Sequence, residues 1–322
     1  MVLCSPNKEA LRSGCREIGC QKHRHCGNRH SVGLRVLLAV NVRARRGRDA
    51  RDRAAAALRG RGHSVIVVDT RKAGDLERAI AAQRGRIDVA AVGGGDGTLI
   101  SAIGGLRAAG IPLLILPLGT INELARTLSI PPDIDGACGL LDAGERHAID
   151  VGCVNGFWFF NEASIGLSTH VVREQTGEVK SRWGMLAIPL ATVRAWRSLR
   201  PYHLDVELEN GDHAAFRTMQ LTVANSYRFG GVVENTAARI DDGVLDLYSI
   251  ELRRWWDPLE ILGAVAVKRF PDARGVQTIR GRRFVVRGRH RHHVFADGEP
   301  ATHTPAEFTV VPRAISVFVP KA

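Results

Sequence analysis

No apolar run in the 322-residue chain approaches the roughly 20 residues needed to span a bilayer as a helix. The N-terminus has no apolar stretch of the kind a secretory leader requires, so a cytoplasmic protein is expected. Cysteine is scarce, six in all, and four of them (Cys4, Cys15, Cys20 and Cys26) crowd into the first 26 residues, which excludes a disulfide-stapled fold. Aromatic residues and apolar periodicity are both missing from residues 1–33, so this stretch reads as a disordered tail. Its cysteines, with His23, His25 and His30, are spaced C-x4-C-x5-C, which matches no standard zinc pattern, and a metal site is the weaker reading. The remaining two, Cys138 and Cys153, are flanked by apolar residues and read as small core positions.

Acidic residues are also rare in two places. Residues 1–63 hold 15 Lys/Arg against 4 Asp/Glu, and Lys268 to Arg291 holds nine basic residues against the single Asp272. A solvated arginine-rich surface explains both clusters. Attraction to anionic lipid headgroups, placing the protein at the inner membrane surface, is the second reading, at about 1 kcal/mol per basic residue near such a surface. Nucleic acid is the weakest of the three.

What is present in force is a pattern of short apolar runs that end on glycine. Ile87–Val92 stops at Gly93-Gly94-Gly95-Asp96-Gly97-Thr98, and Ile111–Leu118 stops at Gly119-Thr120-Ile121-Asn122. Each run is too short for a buried helix, so each is expected as a buried strand of a parallel sheet. Both strands then deliver a Gly-Thr turn to the carboxyl edge of that sheet, where open α/β proteins bind ligands. Glycines there permit positive φ and leave backbone N–H groups facing an anion, and the threonines sit at helix starts that favour phosphate. Asp96 is a carboxylate inside such a loop and makes most sense beside a divalent cation. The loop is not a Walker A, because no Lys-Ser or Lys-Thr follows it.

Further strands are expected over Leu34–Val42 and Ser64–Asp69, with helices over 49–60 and Leu76–Arg84. From Ala148 the pattern changes to short alternating runs, with Asn155-Gly156 and Asn210-Gly211 as hairpin turns and helices over Arg182–Arg200 and Asp257–Phe270. The expected organisation is a basic tail (1–33), a parallel-sheet α/β domain (34–145) and a mostly antiparallel β-sandwich domain (146–312), with 313–322 returning to the first domain.

GGGDGT after a strand, followed by PLGTIN, then IDVG…FFNEASIG, DDGVLDLY and ADGEP, resembles the diacylglycerol kinase catalytic-domain family, which includes sphingosine kinases and soluble bacterial lipid kinases. NAD kinases share the GGDGT loop more distantly. The resemblance runs from about residue 34 to the C-terminus and implies phosphoryl transfer from ATP to a lipid hydroxyl with Mg²⁺. It implies that Gly93, Gly94, Gly95, Gly97 and Thr98 cradle the phosphates and that Asp96 holds Mg²⁺. Gly119, Thr120 and Asn122 complete the nucleotide site, and Thr70 at the end of its strand touches the nucleotide. A structural Mg²⁺ is implied on the carboxylate of Asp242 and the carbonyls of Arg239 and Val244. Glu299 is implied as the base that takes the acceptor's proton, with Asp297 as its understudy. Read without the resemblance, Thr70 is a β-favouring residue before a turn, and both acidic loops are ordinary turns.

Relatives often read Gly-Thr-Gly-Asn-Asp where this chain has Gly119-Thr120-Ile121-Asn122-Glu123, which predicts a narrower loop. An NAD kinase-like enzyme acting on a soluble acceptor and a non-catalytic nucleotide-binding regulator are the alternatives. The sequence leaves the lipid and the oligomeric state open.

Overall fold

The computed structural model describes residues 33–41, 47–70, 74–166, 201–226, 228–229, 233–234, 239–251, 254, 256–266 and 269–321. The Cys/His tail, the Arg45-Arg46 loop and the expected Arg182–Arg200 helix lie outside them.

Runs of Val, Leu, Ile and Ala with no alternation form strands buried on both faces. The first half alternates them with helices: β1 (Arg35–Asn41), α1 (Gly47–Gly60), β2 (Ser64–Thr70), α2 (Asp75–Ala82), β3 (Val89–Gly94), α3 (Asp96–Ile100), α4 (Ile103–Ala109), β4 (Leu113–Pro117), α5 (Glu123–Thr127) and α6 (Ile134–Ala143). β2, β1, β3 and β4 lie side by side in that order, all parallel. Every residue of β3 is buried, as expected for a strand with helices on both sides. Helix α1 shows how the cover is made: Ala50, Ala54, Ala55 and Leu58 fall on one stripe at helical spacing and are buried.

The second half is β5 (Glu145–Val154), β6 (Phe157–Phe159), β7 (Glu162–Gly166), β8 (Tyr202–Leu208), β9 (His213–Thr218), β10 (Gln220–Ala224), β11 (Arg228–Phe229), β12 (Val233–Glu234), β13 (Leu245–Ile250), α7 (Asp257–Ala266), β14 (Val276–Gly281), β15 (Arg283–Gly288), β16 (His293–Ala296), β17 (Glu299–His303) and β18 (Ala306–Val319). Asn155 and Gly156 both take positive φ (47° and 88°) and turn β5 into β6, the geometry that an Asn-Gly hairpin requires. A six-stranded antiparallel sheet runs β14-β13-β10-β7-β16-β17. The expected α/β half and antiparallel β half are thus both present.

The other sheet does not stop at the boundary between them. It continues β2-β1-β3-β4-β18-β15-β8-β9, because β18 is 14 residues long and changes neighbours along its length. Its far end lies parallel to β4 at Val317–Leu113, its near end antiparallel to β15 at Thr309–Arg283, and β5 follows its other edge throughout. The register against β5 slips between Val311 and Ile315, which lets one strand serve both neighbours.

Two large apolar cores result, beside a small cluster of Ala224, Tyr248 and Phe270. One gathers the helix-covered strands with Phe160, Ile315, Val317 and Phe318, and the other lies between the two sheets with Phe159, Phe284 and Phe308. Cys138 is buried and Cys153 half-buried, as expected of small core residues.

Since β18 contributes to both cores, they should unfold together. Phe308→Ala should cost about 3–5 kcal/mol and Ile315→Ala about 2–5 kcal/mol. In scanning calorimetry each should move one common transition, and two transitions shifting independently would contradict the shared strand.

Candidate active site

The Gly93–Thr98 and Gly119–Asn122 turns leave β3 and β4 side by side. Leu118 N–H donates to the Gly94 carbonyl at 3.0 Å, so the two exits are still bonded as they leave the sheet. Beyond that the backbones nearly touch. A Cβ on Gly119 would run into Gly95 Cα and come within 2.7 Å of Asn122 Oδ1, and a Cβ on Gly94 would meet the Thr98 side chain at 2.5 Å.

Asn122 fixes the second turn locally. It takes φ of 51°, its Oδ1 accepts the Gly119 N–H at 2.8 Å, and its Nδ2 donates to the Gly119 carbonyl at 2.9 Å. Asp96 fixes the two turns to each other. Its carboxylate accepts N–H groups from Glu123 and Leu124, each at 3.1 Å, at the start of α5. Gly94, Gly95, Gly119 and Thr120 then line a cavity of about 1070 Å³, together with Arg53 of α1 and Asp133 before α6. Arg53 and Asp133 carry no motif, and the sequence reading missed them. Thr70 ends β2, and its side chain lies outside the described residues.

The DGEP turn joins β16 to β17. Asp297 takes φ of 46°, and its carboxylate accepts three consecutive backbone N–H groups: Phe160 at 2.7 Å, Asn161 at 2.9 Å and Glu162 at 2.9 Å. Burial pushes the Asp297 carboxyl up to about 7. The three N–H bonds oppose that rise, and the charge of Asp96 adds to it. The two aspartates, 201 positions apart in the chain, are therefore electrostatic neighbours. Glu299 opens β17 with an exposed side chain and, among the described residues, no hydrogen-bond or ion-pair partner.

A divalent cation is implied at two places, and the residues answer differently. Asp96 supplies a hard carboxylate, and a cation there would relieve the charge it presents to Asp297, which fits Mg²⁺. Among the described residues no three His, Cys, Asp or Glu side chains gather as a cage. Mg²⁺ needs none, being held mostly by one or two carboxylates with substrate phosphates and water. The Asp242 turn does not fit. Arg239, Asp242 and Val244 are together, but Asp242 Oδ1 accepts the Val244 N–H at 3.2 Å and Oδ2 is paired with Arg280 at 2.6 Å. The Arg280 guanidinium also reaches the buried Asp246 at 2.9 Å. A cation is already there, and it is an arginine.

The 268–291 cluster is less basic in space than in sequence. Arg269 pairs with Asp272, Arg280 with Asp242 and Asp246, Arg283 with Glu307 and Glu207, and Arg287 with Glu207. Strand pairing of β15 with β8 and β18 brings those distant glutamates across.

A parallel sheet with paired glycine turns, joined to a β half that brings an acidic turn, is the architecture to be compared with known proteins. The diacylglycerol kinase catalytic domain matches residues 35–154, and the YegS C-terminal NAD kinase beta sandwich-like domain matches residues 162–319. A "Probable lipid kinase YegS-like" of Pseudomonas syringae pv. tomato is 30% identical over 296 residues, covering 89% of this chain and 93% of the relative. The "Diacylglycerol kinase" of Bacillus subtilis is 29% identical over 267 residues, covering 81% and 87%. A Synechocystis protein is 26% identical over 233 residues, 70% of this chain, and the match spans only 54% of that protein's length. Among solved structures, a Bacillus anthracis protein described as a "putative diacylglycerol kinase" superposes with a TM-score of 0.73 at 24% identity, covering 89% of this chain and 97% of that one. The chain belongs to the YegS-like lipid kinase family, built on the diacylglycerol kinase catalytic domain.

Two outcomes follow from the geometry. Gly119→Ala should force the glycine turns apart and weaken nucleotide binding by about tenfold or more, roughly 1.4 kcal/mol. Calorimetric titration with a non-hydrolysable ATP analogue checks this, and unchanged affinity would contradict the close approach. Arg280→Gln should leave Asp246 buried without its partner, at about 1–3 kcal/mol, lowering the thermal midpoint by several degrees at roughly 2–4 °C per kcal/mol. EDTA should leave the wild-type midpoint where it is. An EDTA-induced drop in the wild type that an Asp242→Asn variant lacks would place a divalent cation at this turn.

Proposed function

We propose that the protein transfers the γ-phosphoryl group of ATP to a hydroxyl of a lipid such as diacylglycerol, in a Mg²⁺-dependent reaction. The observation that carries this reading is the closure of the two glycine turns by Asp96 beside an acidic turn from the β half. Phosphoryl transfer needs placement and charge neutralisation more than covalent assistance. The Gly93–Thr98 turn would cradle the phosphates, Thr120 and Asn122 would complete the nucleotide site, and Thr70, at the end of β2, is the further residue assigned to the nucleotide. Mg²⁺ bound at Asp96 would neutralise charge building up on the phosphate oxygens. The Glu299 carboxylate accepts the proton of the acceptor hydroxyl as its oxygen bonds to the γ-phosphorus and the bond to ADP breaks. Asp297, with both oxygens held by backbone N–H groups, aims the turn.

The acceptor enters from the β half. Attraction of unpaired basic side chains to anionic headgroups would bring the protein to the inner membrane surface from the cytoplasm. No helix among the described residues is long and apolar enough to cross a membrane. An NAD kinase-like reaction would use the same glycine turns on a soluble dinucleotide.

Labelled ATP offered with a total lipid extract, with pure diacylglycerol and with NAD separates these readings, with the product identified by mass. Glu299→Gln preserves shape but accepts no proton, so turnover should fall about 10²- to 10⁴-fold with ATP affinity little changed. Asp297→Asn should lose less. If Asp297→Asn is inactive while Glu299→Gln turns over, the two roles exchange. If both keep normal turnover, the loop is only a turn.

A further inference from the structure

The strip that Asp297 grips is itself held from behind. Asn225, at the end of β10, donates from Nδ2 to the Phe160 carbonyl at 2.9 Å and to the Asp150 carbonyl at 3.2 Å. Its backbone N–H donates to the Asn161 carbonyl at 2.8 Å. Asp150 continues the chain of bonds. Its carboxylate accepts N–H groups from Gly243 at 2.6 Å and Arg313 at 2.7 Å, and its own N–H donates to the Ile240 carbonyl at 2.8 Å. Asp150, Asn161 and Asn225 are at most 2% exposed.

We propose that Asn225 is a positioning residue for the Glu299 turn, acting through the Phe160–Glu162 strip and Asp297, with Asp150 as its anchor on β18 and the Asp242 turn. The inference rests on the reading of Glu299 as the base. Three features support a positioning role over simple packing. The N–H groups of the strip face Asp297, while its first two carbonyls face Asn225, so one short segment is clamped on both sides. Phe159 and Phe160, at its start, enter different cores, so the clamp sits where the two halves join. Asn225 Oδ1 and Asn161 Nδ2 are buried without a protein partner among the described residues, a cost that space filling alone does not explain.

The nucleotide turns are held by other bonds, from Asp96 to α5 and from Asn122 to Gly119. Loosening the strip should therefore reach the base and spare the nucleotide. A misplacement of about 1 Å at a reacting group costs on the order of 10²-fold in rate. Asn225→Ala should lower kcat by about 10- to 100-fold, with KM for ATP within about twofold. The double variant Asn225→Ala/Glu299→Gln should be no slower than Glu299→Gln alone, because a misplaced base and a missing base are the same loss. Multiplying losses, or a rise in KM for ATP that accounts for the whole effect, would overturn the proposal.

Amide hydrogen exchange in the substrate-free protein gives a readout independent of turnover. Asn225→Ala should speed exchange at 160–162 and 297–299 and leave 94–98 and 119–124 unchanged. Unchanged exchange at 160–162, or acceleration spread over all four segments, would also overturn it. If the wild type phosphorylates no lipid, the catalytic reading fails, and exchange still decides whether Asn225 holds the strip. Should Asn225→Ala not fold, Asn225→Ser, which keeps a donor at shorter reach, goes through the same measurements.

Discussion

Asp96 accepts the first two N–H groups of α5 and so joins two turns that leave neighbouring strands. Such groups at a helix start have no partner within the helix, and a charged acceptor roughly doubles the strength of a neutral bond. This closure adds to the Leu118–Gly94 bond that keeps the two turns together where they leave the sheet, and so helps to shape the cavity. The same device recurs with Asp297, which takes three N–H groups, and with Asp150, which takes two from segments 93 and 163 positions away. Three carboxylates thus set the geometry of the site by binding backbone.

This device has an electrostatic consequence. A carboxylate used as a clamp is drawn out of water, and desolvation disfavours its charge. Asp297 shows the effect, pushed up to about 7 with Asp96 as a like-charged neighbour. The cation proposed at Asp96 would lower that cost at Asp297. At the Asp242 turn the same demand is met from within by Arg280. There the charge has been used for structure.

The strands of the first half were legible, because continuous apolar runs stopped by glycine leave few other solutions. The glycine turns were legible for the same reason, and so were the Asn-Gly hairpins. What escaped were contacts whose partner is backbone or lies on a distant strand. Every residue but proline has an N–H, so no side-chain pattern announces that Phe160, Asn161 and Glu162 hold Asp297. Asn225 reads in sequence as the polar end of an alternating strand. Arg280 reads as one more basic residue, and only the pairing of β13 with β14 sets it opposite Asp246. The return of 313–322 to the first half was expected from the family resemblance; what was missed is that it forms one strand with the run before Pro312, across a register slip against β5.

The second turn shows how a departure from a family pattern is absorbed. Isoleucine in place of the usual glycine predicts a constricted loop, since a β-branched side chain is strongly disfavoured at positive φ. Asn122 carries the left-handed conformation here, at 51°, and Ile121 is not among the positive-φ residues. Asparagine tolerates that region because its side chain bonds the local backbone, and Asn122 does so in both directions with Gly119. Glycine is required at 95 and 119, where the two backbones approach, and at 93 and 94, where a Cβ would meet neighbouring side chains, whereas the position between Thr120 and Asn122 is free to carry bulk. Ile121 is half-buried there without disturbing the N–H groups of Glu123 and Leu124 that close the site on Asp96.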